Sequence, residues 1–337
     1  MGNPGLSLRS FLLKRFLYTL VLILFVIVLN WLIFEAMPGL QGQLYTVLAN
    51  PRRINDQQYV NLIHQYGLDK PAWEQFLLYL KSTLTFQFGY SYTSGQSIST
   101  EVITSGRLFN TLLLLGSSTI LAIIIGILLG IVAAHKRGSA FDTFWVTGSL
   151  TSFSLPTFFM GILLIILFSV TFRLFPPGGT VPLAWSVPPI PPFIYQIPTR
   201  LWYLFLPSLT LTLFSYGGFL LLTRATMLEV LSEDYITTAR AKGLPERTVL
   251  LRHAFKNASL PVITSGALAF GGVLSGAIIT ETVFNWQGLG LWLFNSVIQK
   301  DFPVLQAMFY IIALCVIIAN FVSDVLYGIV DPRIRYD

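Results

Sequence analysis

The chain has 337 residues, of which 54% are hydrophobic and only 11% charged, with a formal net charge of +6. That balance excludes an ordinary pair of soluble domains and points to a polytopic membrane protein. The positive sum is no nucleic-acid footprint, because in a membrane chain the placement of Lys and Arg carries the information.

A bilayer core about 30 Å thick needs roughly 20 apolar residues per helix. Six stretches meet that need, at about 16–36, 112–134, 143–172, 203–223, 262–280 and 303–329. Alternating strand patterns are absent, which disfavours a membrane β-barrel. The expected fold is an all-α polytopic membrane protein, with one membrane domain over 1–337.

The first span follows Arg9, Lys14 and Arg15, as a signal peptide would. Its apolar run is too long for one, and "FEAMPGL" has no small-x-small cleavage site, so it reads as a retained helix. The segment 38–107 is long enough to fold as a unit. Within it, "DQQYVNLIHQYGLDKPAWEQFLLYLKSTL" predicts two short amphipathic helices. Gly67 suits the end of the first, Asp69 the cap of the second and Pro71 its first turn. "FGYSYTSGQSIS" reads as loop. This region is either a packing cap or a contact surface for an external partner.

Span two carries Gly126 and Gly130, and span five Gly272 and Gly276, spacings that let helices approach closely in lipid. "AHKRGSAFD" is a tight turn into span three, where Ser152, Ser154 and Pro156 predict a kink. Residues 176–198 hold eight prolines and read as a stiff, extended loop. Trp185, Tyr195, Trp202 and Trp286 read as an interfacial aromatic belt, with sugar stacking as the alternative. Asn30 in span one, and Asn320 with Asp324 in span six, are the notable polar residues in the spans. Cys315 has no partner for a disulfide and suits a small apolar packing role.

Orientation follows from the basic residues. With a cytoplasmic N-terminus, the inner segments 1–15, 135–142, 224–261 and 330–337 hold 13 of the 21 Lys and Arg residues. The two shorter outer loops hold only Arg173, Arg200 and Lys300. Both termini are therefore expected in the cytoplasm.

Catalytic patterns are missing. His64, His135 and His253 form no H-E-x-x-H or other metal-spaced group, and neither a P-loop nor G-x-S-x-G occurs. The chain is expected to be no enzyme, and to hold no cofactor or metal. Carboxylates are too scarce in the spans for an ion-coupled pump, so work against a gradient would come from a partner.

The charged insert "TTARAKGLPERTVLLRHAFKNASLP", residues 237–261, interrupts this apolar chain. Ser232 suits an N-cap, with Glu233 and Asp234 set against the positive helix end. That helix is expected to stop at Gly243. A second is expected to begin at Pro245 and end near Asn257, before Leu260-Pro261. Val249, Leu250 and Phe255 should face protein, and Arg247, Arg252 and Lys256 water or lipid headgroups. The residues alone leave two readings open, an interfacial helix pair on the inner leaflet or a knuckle that fits a partner's groove.

"YITTARAKGLPERTVLLRHAFKNASLPVIT" resembles the cytoplasmic EAA-type loop of ABC-importer permeases, in its oligopeptide/dipeptide version. The 17 residues between Gly243 and Pro261 fit that subfamily. "YGLDKPAWEQFLLYLKSTLTFQFGYSYTSG", "ETVFNWQGLG" and "VDPRIR" are similar to further signatures of the same family. Gln287, where proline is common, and the long proline-rich insert depart from it. The resemblance implies a type I importer-like subunit of six helices in the plasma or inner membrane. It implies a second homologous permease, two ABC ATPases that hold the ATP and Mg, an extracytoplasmic substrate-binding protein, surrounding lipid, and no nucleic acid. It places Thr238, Ala239, Arg240, Ala241, Lys242 and Gly243 in the segment that seats in an ATPase groove. Gly243 would let the chain turn, and Arg240 or Lys242 would pair with acidic groups at the rim. The implied cargo is oligopeptides or solutes of similar size. The alternatives are oligosaccharides on the same machinery, or a self-contained secondary transporter or channel.

Overall fold

The computed structural model describes residues 8–36, 70–272 and 277–330. Among them the backbone is helical, and the strand-like pairing is an isolated bridge between Tyr90 and Ser97. In chain order the helices are α1 (Leu8–Trp31), α2 (Ala72–Leu84), α3 (Ile98–Thr104), α4 (Arg107–His135), α5 (Ala140–Ser154), α6 (Thr157–Leu164) and α7 (Phe193–Leu231). Then come α8 (Asp234–Ala241), α9 (residues 246–272), α10 (Ala277–Val283), α11 (Leu289–Gln299) and α12 (Phe302–Val330). Short π-helical stretches extend α1 over Leu32–Ala36 and α6 over Ile165–Thr171.

Four of these helices are long and apolar enough to cross a bilayer: α1 over Ser10–Phe34, all of α4 and α7, and α12 over Phe302–Val325. The third expected span is instead a broken pair. The α5 helix and the α6 segment meet at 108°, far sharper than the expected kink. Pro156 lacks an N–H and forces Leu155 into an extended conformation, φ −81° and ψ 136°, so the helix cannot pass through. The fifth expected span runs from α9 to α10 across 273–276, outside the described residues, as is the Gly272–Gly276 spacing.

Proline acts differently elsewhere. The α7 helix starts at Phe193, ten residues before the expected span, and contains Pro198 and Pro207. The end of the proline-rich segment is therefore helical, not extended. Its beginning packs on a distant turn, where the Gly179 N–H donates to the Phe284 carbonyl at 2.8 Å.

The α4 and α7 helices form the tightest pair. A Cβ on Gly126 would lie 2.8 Å from the Tyr216 carbonyl oxygen, and one on Gly130 would lie 2.7 Å from Thr223 Cβ. Small residues at that spacing let the two backbones touch, as their sequence pattern predicts. Hydroxyls also join the pair, with Ser117 and Ser208 Oγ atoms 3.2 Å apart.

The α1 helix leans on α12 and leaves Leu13, Val21 and Phe25 exposed, as a lipid-facing surface requires. Its polar contacts sit near both ends. Arg15 Nη1 lies 3.2 Å from Asp324 Oδ2, and Asn30 Nδ2 donates at 2.9 Å to both Tyr79 Oη and the Gln306 carbonyl. Asp324 is thus a helix-packing residue.

The first amphipathic helix of the long loop, with Gly67 and Asp69, lies outside the described residues. Pro71 caps α2 instead of occupying its first turn. The following loop is held by buried Asp301, which accepts from Ser91 Oγ at 2.5 Å and from the Tyr92 and Thr93 N–H groups at 3.1 Å each.

Candidate functional site

The charged insert forms a knuckle of two helices. Ser232 does not cap α8: its hydroxyl closes α7 by donating to the Glu229 carbonyl at 2.6 Å, and Glu233 takes the cap position. Two residues of turn are needed to leave α7, so the cap shifts by one. The α8 helix ends at Ala241 with Lys242 as its cap, and Gly243 turns the chain in the left-handed region at φ +73°. A Cβ there would meet no atom within 4 Å, so conformation alone, not space, demands glycine at this point.

After Pro245 the chain re-enters helix at Glu246. It passes through a π stretch, Val249–Ala254, and continues as Phe255–Gly272. The expected stop near Asn257 does not occur, and Pro261 lies inside the helix. A membrane helix tolerates one missing N–H where neighbouring helices support it, and the apolar residues after Pro261 extend the run.

An apolar socket anchors the knuckle. Ile236 and Ala239 of α8 pack with Ile131 and Ala134 of α4, Met227 of α7, and Val249, Ala254 and Ala258 of α9. Of the six expected coupling residues, Ala239 therefore faces inward, while Thr238, Arg240, Ala241, Lys242 and Gly243 are exposed. Across the turn, Asn257 Nδ2 donates to Tyr235 Oη at 2.7 Å. As expected, Val249 is buried, Leu250 and Phe255 are half-buried, and Arg247, Arg252 and Lys256 are exposed.

Arg240 is already occupied. Its Nη2 donates to Glu246 Oε1 at 2.7 Å and its Nε to Oε2 at 3.2 Å. This two-pronged bond holds the Glu246 carboxyl below its usual range and raises the guanidinium's own affinity for its proton. His135 Nδ1, at the end of α4, lies 3.7 Å from Glu246 Oε1 and forms an ion pair when protonated. Lys242 is thus the expected coupling cation that this clasp does not engage, although the side chains of Arg240 and Lys242 are both exposed. Glu246 is not among the expected coupling residues, and its one mark in the sequence is that it is the single acidic residue in 237–261.

Beside the knuckle, Arg224 of α7 grips Asp142 of α5 with Nε to Oδ1 at 2.7 Å and Nη2 to Oδ2 at 2.8 Å. Asp142 also accepts the Gly138 N–H at 2.9 Å, while Ser139 Oγ caps α5. The "AHKRGSAFD" turn is therefore locked to the base of α7.

At the other end of α4, "ETVFNWQGLG" wraps around buried Glu281. Thr111 Oγ1 donates to Glu281 Oε1 at 2.6 Å and the Leu291 N–H to Oε2 at 3.0 Å. Gly288 and Gly290 lie against this carboxylate, where side chains would collide with it. Trp286 is only 1% exposed, and its indole N–H donates to the Asn110 carbonyl at 2.9 Å. It is core, not part of a surface belt. Tyr195 is exposed, and Trp202 bonds the Leu174 carbonyl. Among the described residues no three His, Cys, Asp or Glu side chains converge as metal ligands would.

Comparison with known proteins agrees with this architecture. Residues 126–336 match the family of binding-protein-dependent transport system inner membrane components. The chain is 38% identical over 307 residues to a di/tripeptide transport system permease protein of Pseudomonas aeruginosa, covering 88% of this chain and 90% of the relative. It is 36% identical over 329 residues to an oligopeptide transport system permease protein of Bacillus subtilis, covering 98% and 100%. It is 37% identical over 328 residues to a glutathione transport system permease protein of Escherichia coli, covering 97% and 99%. The chain belongs to the family of binding-protein-dependent transport system inner membrane components, as a multi-pass permease subunit of an ABC importer.

Proposed function

We propose that this permease carries short peptides and is driven through the knuckle formed by α8 and the first turns of α9. The chain acts as one membrane domain of six spans with both termini in the cytoplasm, which puts 13 of its 21 basic residues inside. A second, homologous permease completes the pathway. Two cytoplasmic ATPases hold ATP and Mg and seat the exposed residues Thr238, Arg240, Ala241, Lys242 and Gly243, with Ala239 packed behind them. A substrate-binding protein delivers cargo from outside. Closure of the ATPases displaces the knuckle and shifts the spans between two states, with nucleotide affinity supplying the work.

The observation that carries this reading is an exposed, left-handed turn on a socketed base. The residues at its tip are exposed, yet their backbone is held by Ile236, Ala239 and Val249 underneath. Cargo follows from the relatives, whose names specify dipeptides, tripeptides, oligopeptides and glutathione. Sugar stacking loses one support, because Trp286 is buried beneath the turn it belongs to.

Gly243→Asp tests the knuckle. With open space around it, the substitution costs the chain only about 1 kcal/mol of backbone strain, so insertion and folding persist. In proteoliposomes holding both permeases, the ATPases and the binding protein, ATP-dependent uptake of a labelled dipeptide is expected to fall at least tenfold. Unimpaired uptake by the variant overturns the assignment. Competition of an excess of unlabelled dipeptide against an oligosaccharide for the same uptake identifies the cargo class.

A further inference from the structure

A mechanical joint transmits force only if its two arms move together. Here the arms meet at Gly243, Leu244 and Pro245, where the left-handed glycine leaves the backbone without helical hydrogen bonds across the turn. The α8 arm has eight residues, too few for an independently stable helix. The apolar socket and the Asn257–Tyr235 bond join the arms beneath, which leaves the stretch next to the turn itself to be tied.

Glu246 is placed to tie it. It opens α9, its two carboxylate oxygens take the two prongs of Arg240 from the last turn of α8, and its Oε1 faces His135 at the end of α4. One side chain therefore touches three elements: both arms of the joint and the helix whose base they rest on. Glu233 and Asp234 sit at the far end of α8, and the charges on the turn side are one-sided. Residues 237–261 carry Arg240, Lys242, Arg247, Arg252 and Lys256 against Glu246 alone. No other acidic residue of the insert can balance Arg240 across the turn.

We infer that Glu246 is a positioning residue of the coupling joint: it clasps Arg240 across the Gly243 turn and holds the joint against α4, so that displacing α8 moves α4 together with α9. This rests on the reading of the knuckle as the ATPase-driven segment. Surface ion pairs add little to global stability, so the clasp acts on the fidelity of transmission and not on folding. It also leaves Lys242 as the cation of the two that is not already engaged by Glu246.

The test uses the complete importer in proteoliposomes and reads labelled dipeptide taken up per ATP hydrolysed. Glu246→Gln and Arg240→Glu are each expected to lower that ratio about two- to fivefold, the range open to a pair of this exposure. In Glu246→Gln, which lies outside the seated segment, the ATPases should still co-purify and hydrolyse ATP at the normal rate. The charge swap, Arg240→Glu with Glu246→Arg, is expected to recover most of the ratio. A normal ratio in Glu246→Gln overturns the inference, as does a swap no better than the single variants. Loss of the ATPases from Glu246→Gln also overturns it, by making Glu246 a docking contact. Gly243→Asp, run alongside, separates the two claims. If it is impaired while Glu246→Gln is normal, only the clasp fails; if it too is normal, the knuckle reading falls with it.

Discussion

Thr111 donates its hydroxyl proton to Glu281 at 2.6 Å, across 170 positions of sequence, and both side chains are buried. The same hydroxyl accepts the Leu289 N–H at 2.8 Å, so one threonine of α4 closes the turn between α10 and α11. Thr111 and His135 stand 24 residues apart on α4 (111 to 135), roughly 36 Å at the rise of an α-helix. The helix thus has a carboxylate at each end, Glu281 bonded to Thr111 at the first and Glu246 lying 3.7 Å from His135 at the second. A rigid helix held this way relates the knuckle to the opposite end of the bundle.

Removing the buried carboxylate exposes what it satisfies. Glu281→Ala leaves the Thr111 hydroxyl and the Leu291 N–H without an acceptor, at about 1–3 kcal/mol each. The detergent-solubilised importer is expected to melt several degrees lower. Glu281→Gln keeps one acceptor oxygen and should lose less than the alanine variant. Equal melting temperatures for Glu281→Ala and the parent contradict this role.

The α4–α7 contact predicts a graded response to added methyl groups. Gly130→Ala places a carbon 2.7 Å from Thr223 Cβ and forces the helices apart, at about 1–3 kcal/mol. Gly116, in the same helix, has nothing within 4 Å of the added carbon. Gly116→Ala should be neutral or stabilise by up to about 1 kcal/mol. Thermal unfolding of the two variants side by side checks the difference in sign.

Asp142 and Arg224 form a two-pronged pair with the carboxylate buried and the guanidinium about a quarter exposed. Asp142→Ala strands a partly buried cation and is expected to cost about 2 kcal/mol, below the range for a fully buried pair. Arg224→Lys keeps the charge but loses the fork, and should cost about half as much. A double-mutant cycle with Asp142→Ala and Arg224→Ala should return a favourable coupling energy, and a value near zero would exclude the pair as a lock on the α5 turn.

Asp301 predicts a local effect. Asp301→Ala removes the carboxylate that accepts from the Tyr92 N–H and that shares the Thr93 N–H with Ser91 Oγ. Hydrogen exchange at Tyr92 should accelerate at least tenfold, with a smaller rise at Thr93, while that of α4 and α7 is unchanged. Protection equal to the parent's at both amides would show that the loop is held by other contacts.

Local chemistry makes much of this protein legible in the order of its residues. Hydrophobic length marks the spans, because burial in lipid needs about 20 apolar residues in a row. Gly126 and Gly130 announce a close helix pair, since only a missing side chain permits that approach. Gly243 and Pro245 mark the turn of the knuckle through their own backbone preferences. Proline is less legible. Pro156 breaks α5 from α6 at 108°, yet Pro198, Pro207 and Pro261 lie inside helices. The residue is the same, and the neighbours that support or abandon the backbone decide the outcome. Polar partners are equally hidden in the chain order. Nothing near Glu281 in sequence points to Thr111, and nothing near Glu246 points to His135, because a buried or clasped carboxylate is paired by packing. The sequence by itself determined the class of this protein, its long apolar helices and the turn at Gly243. The tertiary structure alone decided what each carboxylate holds, because those partners meet only when distant helices pack.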